Sequence, residues 1–372
     1  MRVLVLDANN PIFFDLAFCL RQGADISIIA MSSKKNTPMR WSLNIDKYIY
    51  VENLLECNNF KKVEAVVKQE KIDCIIPIGE QTCLGFLGTK KFIYKDKLIL
   101  ISDYQTYFKA INKDLLYYHL KENNINHPNT VIIKSTANDV LLESISKLNF
   151  PLIAKPVRGI DGNGILEISN SKALKVFLDS RTINQYLLQE YVNGYDIDCS
   201  VLCKNGNILS YTIQKGMSYE YKKFTAPISL TFLKEPKLFL VVKKLIQTLK
   251  WSGIAHIDLR YDKITDDFKI IEVNARYWGS LHASYAAGIN FPVLHCYLSM
   301  GKDLELNSFL PIQYYSLKSV LTQPHHLIKS FIAKKKSYTQ LAMLTRDPIP
   351  YIFKFFIRTY IILKRKFRQL KA

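Results

Sequence analysis

The chain opens on an unbroken apolar run, "RVLVL" at residues 2–6, which reads as a strand buried on both faces. Helical apolar spacing follows in "FFDLAFCLRQG" and stops at Gly23, and "DISIIAM" is a second strand. After "DKYIYV" the pattern predicts a helix near 60–70 and then the strand "DCIIPIG". This alternation of strands and helices predicts a parallel, wound α/β sheet. The first turn reads "DANNP" rather than G-x-G-x-x-G, so the dinucleotide fingerprint is missing and NAD is not expected here.

Near residue 111 the pattern changes. "NKDLLYYHLKENNI" is helical, with Asn112 as its cap, and "HPNT" ends it. "FPLIAKPV", "ILEIS" and "YLLQEYV" are strands, set around the loop "RGIDGNG" and the helix "KALKVFLDS". "IDCSVLC" and "ILSYTIQ" pair as a hairpin about Lys204–Asn207. A helix over 236–250 precedes a second hairpin, "GIAHIDLRYD" with "FKIIEVNA". This half is α+β. Beyond Pro311 the chain reads as helical, and no internal repeat or low-complexity segment is found.

At 372 residues the chain is long enough for two or three domains, and 48% apolar with 22% charged residues excludes disorder for its bulk. Charge changes the picture more. The 51 Lys+Arg against 32 Asp+Glu leave a formal +19, which favours anionic partners. Thirteen basic residues and a single acid, Asp347, lie between Pro311 and Ala372. An apolar helix face flanked by Lys and Arg suits an anionic membrane surface; the same residues also suit a terminal helix packed on its neighbour. No nucleic-acid motif is found, so no nucleic acid is expected. "IPYIFKFFIRTYIIL" is broken by Lys354 and Arg358 and is too short to span a bilayer. The 7 cysteines include no C-x-x-C pair, and several sit in apolar runs, which reads as reduced core cysteine in the cytoplasm. The start shows no signal peptide.

The second hairpin carries the chemistry. With its turn centred near Thr265, Asp258 faces Glu272, His256 faces Asn274 and Arg260 faces Ile270. Directly opposed side chains point the same way, about 5 Å apart. Two carboxylates at that spacing repel unless a cation lies between them, and Mg2+ is a natural partner. The plain alternative is a solvated face on which Arg260 neutralises Asp258. A turn shifted by one residue would instead separate the two acids.

Upstream, Lys155 ends an apolar strand and leads into Gly159, Gly162 and Gly164, where glycine lets backbone N–H groups approach phosphate oxygens. No G-K-[ST] closes the loop, so it is not a P-loop, and an ordinary strand–loop–strand turn uses the same residues. Glu190 leaves its strand and Asp196 follows six residues later. Such acids can accept an adenine amine and ribose hydroxyls, or can simply lie on the surface.

Taken in order, Lys113, Lys155, the glycine loop, Glu190, Asp196 and the set Asp258–Glu272–Asn274–Arg276 resemble the ATP-grasp superfamily of ligases. "E-x-N-x-R" (Glu272, Asn274, Arg276) is the most specific element, followed by "LQEYVNG" and "IAKP". The resemblance implies a Rossmann-like preATP-grasp domain over residues 1–110, a two-subdomain ATP-grasp fold over 111–305, and a basic, helical C-terminal segment over 306–372 outside it. It further implies that Lys113 and Lys155 hold the phosphates and that Gly162 and Gly164 lie in the loop over the γ-phosphate. Glu190 would take the adenine amine beside backbone groups of Tyr191 and Val192. Asp196, where relatives usually carry Glu, would take the ribose. Asp258, Glu272 and Asn274 would ligate Mg2+, or Mn2+, and Arg276 with Lys155 would act in catalysis.

The implied activity is a carboxylate–amine ligase. It would activate a carboxylate as an acylphosphate with ATP and join it to an amine or a thiol, releasing ADP and phosphate. An inactive nucleotide-binding regulator is one alternative, against which the intact metal set argues, and a carbamoyl-phosphate synthase-like enzyme is another. Expected partners are the small-molecule carboxylate and amine, a second copy as a homodimer, and the inner face of the membrane for the tail. Glu80 and Gln81 after "IPIG", Arg158, Arg260, His256, Tyr219 and Tyr221 are further candidates for substrate contact, each with an ordinary structural reading beside it.

Overall fold

Apolar runs that match the expected strands build the first sheet. In the computed structural model β1 (Arg2–Val5), α1 (Phe13–Arg21), β2 (Ser27–Ser32), β3 (Lys47–Tyr50), α2 (Phe60–Gln69), β4 (Cys74–Ile76) and α3 (Glu80–Gly88) follow one another. The strands are parallel in the order β3-β2-β1-β4. Leu4, Leu6, Ile29 and Ile75 pack with Phe60, Val63 and Phe86, the amphipathic spacing of α2 supplying two of them. The expected parallel α/β domain is therefore present. The structure describes residues 1–52, 60–133, 139–157, 164–179, 186–219, 227–304, 307–332 and 337–353.

The chain divides into two units, Met1–Ile101 with Arg276–Ala372, and Ser102–Ala275. These divisions differ from the expected ones at 110 and 305. The physical reason is that the segment after Arg276 returns to α1. It contains α9 (Leu281–Ala286), α10 (Phe291–Ser299), β14 (Gln313–Tyr315), α11 (Leu317–Thr322), α12 (Pro324–Ile332), β15 (Ser337–Thr339) and α13 (Leu341–Arg346). Phe18 meets His282 edge-on at 4.9 Å, Asn290 Nδ2 donates to Cys19 O at 2.8 Å, and Phe14 stacks on Tyr351 at 5.6 Å. Buried Asp347 accepts from Ser42 Oγ, from Leu43 N at 3.0 Å and from Asn44 Nδ2 at 2.9 Å. The expectation of a purely helical tail is corrected, because β14 and β15 pair in parallel. The most basic stretch, 354–372, lies outside the described residues. Among the described residues no helix is long and apolar enough to cross a membrane.

The second unit starts with α4 (Tyr104–Ile111), capped by Asp103 on the N–H groups of Gln105 and Thr106. It continues through α5 (Lys113–Glu122), β5 (Thr130–Ile133), α6 (Asp139–Ser146), β6 (Leu152–Pro156), β7 (Leu166–Ile168), α7 (Ser171–Asp179) and β8 (Tyr186–Glu190). These strands form an antiparallel sheet in the order β5-β8-β6-β7, with Ile133, Leu152, Ala154 and Leu188 in its core. Then come β9 (Gly194–Lys204), β10 (Asn207–Ser218), β11 (Ser229–Phe232), α8 (Pro236–Leu249), β12 (Gly253–Asp262) and β13 (Asp267–Asn274). Within this unit their order is β13-β12-β9-β10-β11, and all the pairings are antiparallel. Both expected hairpins are present. Gly194 is required where β9 meets β12, since a Cβ there would lie 1.7 Å from Tyr261 O.

Candidate functional site

The hairpin register brings the acids together, and β9 enlarges the face. Asp258 on β12 stands opposite Glu272 on β13 and opposite Asp198 on β9. Two residues along, Ser200, His256 and Asn274 form a second row. Directly opposed residues share a face, and so do residues two apart on one strand, so both rows belong to one surface. Asn274 Nδ2 donates to Asp258 Oδ2 at 3.3 Å.

The expected pairing of Arg260 with Ile270 is corrected. A bulge between Asp258 and Leu259 leaves Ile271 over, and Arg260 faces Lys269. The Arg260 guanidinium turns to β9, where it bonds Asp196 and donates to Tyr191 Oη at 2.7 Å, Gly194 O at 3.1 Å and Val192 O at 2.6 Å. Arg260 therefore serves Asp196, not Asp258.

Cations enter from the other elements of this unit. Lys113, at the first turn of α5, lies 3.1 Å from Glu272 Oε2. Lys155 is buried on β6, and its Nζ donates to Gln189 Oε1 at 2.8 Å. Burial pulls the Lys155 ammonium down to about 8, with Glu272 and Asp258 opposing the fall and Lys113 adding to it. For Glu272 burial works upward, but Lys113 and Lys155 outweigh it and hold the carboxyl below its ordinary range. Asp198 is pushed up to about 7 by burial, with Asp196 and Glu272 adding to the rise and the Gln214 hydrogen bond opposing it.

Strand alternation separates two neighbours that look equivalent in the sequence. Gln189 lines a cleft with Lys113, Lys155, Leu187 and Ile270. Glu190 is held by Asn129 Nδ2 at 2.8 Å and by Asn149 N at 2.8 Å, away from that cleft. Tyr191 N donates to Pro151 O at 3.0 Å. His127 Nε2 is buried in the cleft wall with no hydrogen-bond partner among the described residues. Gly164 closes its loop at φ +79. Gly159, Gly162, Arg158 and Tyr221 lie outside the described residues. In the first unit Arg276 Nε lies 3.5 Å from Glu80 Oε1. The site thus joins Lys113, Lys155, Asp258, Glu272 and Asn274, and reaches Asp196 through Arg260. Sequence reasoning passed over Gln189 and Asp198. The polar–apolar alternation in "DIDCS" was the available signal for Asp198.

Asp258, Glu272 and Asn274 offer oxygen donors only, a set that fits hard Mg2+. Two lysines beside it fit phosphate, and the cleft that they line with Leu116, Leu120, Leu187 and Ile270 is of mixed polar and apolar character. The two sheets and this charge pattern define an ATP-grasp type of architecture. Residues 110–280 match the ATP-grasp domain family, and the chain resembles ATP-grasp superfamily ligases. It is 27% identical over 264 residues to the carbamoyl phosphate synthase large chain of Methanobrevibacter smithii, covering 65% of this chain and 24% of that one. The chain spans about a quarter of the length of such large chains. It is 22% identical over 278 residues to a D-alanine–D-alanine ligase of Acetivibrio thermocellus, covering 67% of this chain and 74% of that one. Its fold is similar to N5-carboxyaminoimidazole synthetase from Staphylococcus aureus complexed with ADP, with a TM-score of 0.66, 16% identity, and coverage of 88% and 86%.

Proposed function

We propose that this chain is an ATP-dependent ligase that activates a small-molecule carboxylate as an acylphosphate and passes the acyl group to an amine, or to a thiol. The carrying observation is the opposition of Asp258 and Glu272 in one register, with Lys113 against Glu272 and Lys155 beside them. The resemblance to a D-alanine–D-alanine ligase supports an amine acceptor.

On this reading a carboxylate oxygen attacks the γ-phosphorus, the bond to the bridging oxygen breaks, and ADP leaves. The amine nitrogen then attacks the acyl carbon, phosphate departs with the bonding electron pair, and the nitrogen releases a proton. Lys113 and Lys155 orient the phosphates and neutralise their charge. Mg2+ held by Asp258, Glu272 and Asn274 supplies further charge neutralisation when bound. Gln189, rather than Glu190, meets the base, because Glu190 is occupied by Asn129 and Asn149. Arg260 holds Asp196 for the ribose. Gly162 and Gly164 belong to the loop over the phosphates, and Arg276 stabilises the charge that builds up on acyl transfer. The reaction belongs in the cytoplasm, where ATP is available.

The test is Glu272→Gln combined with Asn274→Ala, assayed by phosphate release with ATP and Mg2+ across amino acids, dipeptides and nucleotide-activated uronic acids. Turnover should fall at least about 100-fold. Turnover near the wild-type rate would overturn the metal assignment.

A further inference from the structure

We infer that Asp198, His256 and Asp258 form a second cation site, beside the nucleotide-metal set and selective for a first-row transition-metal ion such as Mn2+ or Zn2+ over Mg2+. One ligand atom from each of the three residues falls within a 4.8 Å sphere of mutual distances. His256 Nε2 lies 3.4 Å from Asp258 Oδ1 and 4.0 Å from Asp198 Oδ2, too long for strong direct hydrogen bonds. These gaps are of the size an inserted ion spans when it sits about 2.0–2.2 Å from each donor.

The supporting residues orient these donors. His256 is buried, and its Nδ1 is 2.9 Å from Ser200 Oγ, which fixes the ring with Nε2 toward the two carboxylates. A ring nitrogen tied back in this way is the usual arrangement of a metal-bound histidine. Gln214 bonds Asp198 and is its cross-strand partner on β10. Asp258 divides its two oxygens, with Oδ2 toward Asn274 on β13 and Oδ1 toward His256. The second site therefore lies on the β9 side of Asp258 and the nucleotide-metal set on the β13 side. An imidazole among the donors favours Mn2+ or Zn2+ over Mg2+.

The inference shares Asp258 with the proposed ligase site, so its test avoids ATP. Mn2+ is titrated into the nucleotide-free protein and free ion is read by electron paramagnetic resonance. One Mn2+ per chain is expected. His256→Ala and Asp198→Asn should each weaken it at least about ten-fold, and Ser200→Ala, a small change that keeps the fold, by about ten-fold. Asn274→Ala should leave it within about two-fold. Circular dichroism identifies any variant that fails to fold, and Ser200→Ala then carries the decision. Absence of Mn2+ binding, equal binding by wild type and Ser200→Ala, or loss with Asn274→Ala would each overturn the inference. Failure of the ligase reading would instead appear as ATP turnover indifferent to Glu272→Gln, with Mn2+ binding unchanged.

Discussion

Lys155 is held at a measurable cost, and its removal should expose that cost. Its ammonium falls from the ordinary lysine value of 10.5 to about 8 because burial penalises the charge. At about 1.36 kcal/mol per unit, the folded protein holding the proton is about 3 kcal/mol worse off than it would be with an ordinary lysine. Lys155→Met removes this penalty. It also leaves Gln189 Oε1 without its donor, a loss of about 1–3 kcal/mol, so at pH 7 the variant should be about as stable as wild type or slightly more so. Below pH 8 both folded and unfolded wild-type chains carry the proton and the deficit is constant. Between pH 8 and 10.5 the unfolded chain binds the proton and the folded one does not, so wild type gains stability with rising pH. The gap between the two proteins, measured by urea unfolding at pH 7 and pH 10.5, should therefore move by about 3 kcal/mol in favour of wild type. Other lysines and tyrosines titrate in both proteins and cancel. ATP turnover of the variant should fall at least about 100-fold. A stability gap that is flat with pH to within about 0.5 kcal/mol would refute the assignment of Lys155 as a desolvated cation.

Gly194→Ala puts a Cβ 1.7 Å from Tyr261 O in the adjoining strand, so it should lose at least about 2 kcal/mol in urea unfolding; wild-type stability would show that β9 and β12 can separate there at little cost. Asp347→Ala leaves Ser42, Leu43 N and Asn44 without their shared acceptor and should lower stability by about 3 kcal/mol in thermal unfolding, whereas an unchanged melting temperature would mean that this buried carboxylate does not anchor the return segment.

Much of the site was legible because it follows from local periodicity. The pairings of Asp258 with Glu272 and of His256 with Asn274 depend only on strand parity and the position of one turn, and "FKIIEVNA" states both. The parallel sheet of the first unit was readable for the same reason, since β1, β2 and β4 are unbroken apolar runs. β5, β11 and α6, of 4, 4 and 8 residues, were not read from the sequence.

The amino-acid sequence alone settled which residue types recur at which spacing: two lysines, then two acids and an asparagine on one strand face. Tertiary structure decided which of those residues meet. The register of β12 on β9 set Arg260 opposite Asp196, and strand alternation turned Gln189 into the cleft and Glu190 out to Asn129 and Asn149. Asp198 joined Asp258 only because β9 lies beside β12, a neighbour some sixty residues away along the chain. Periodicity is a property of a segment and can be read from it. Adjacency between distant segments depends on how whole sheets close over their cores, which no local pattern encodes.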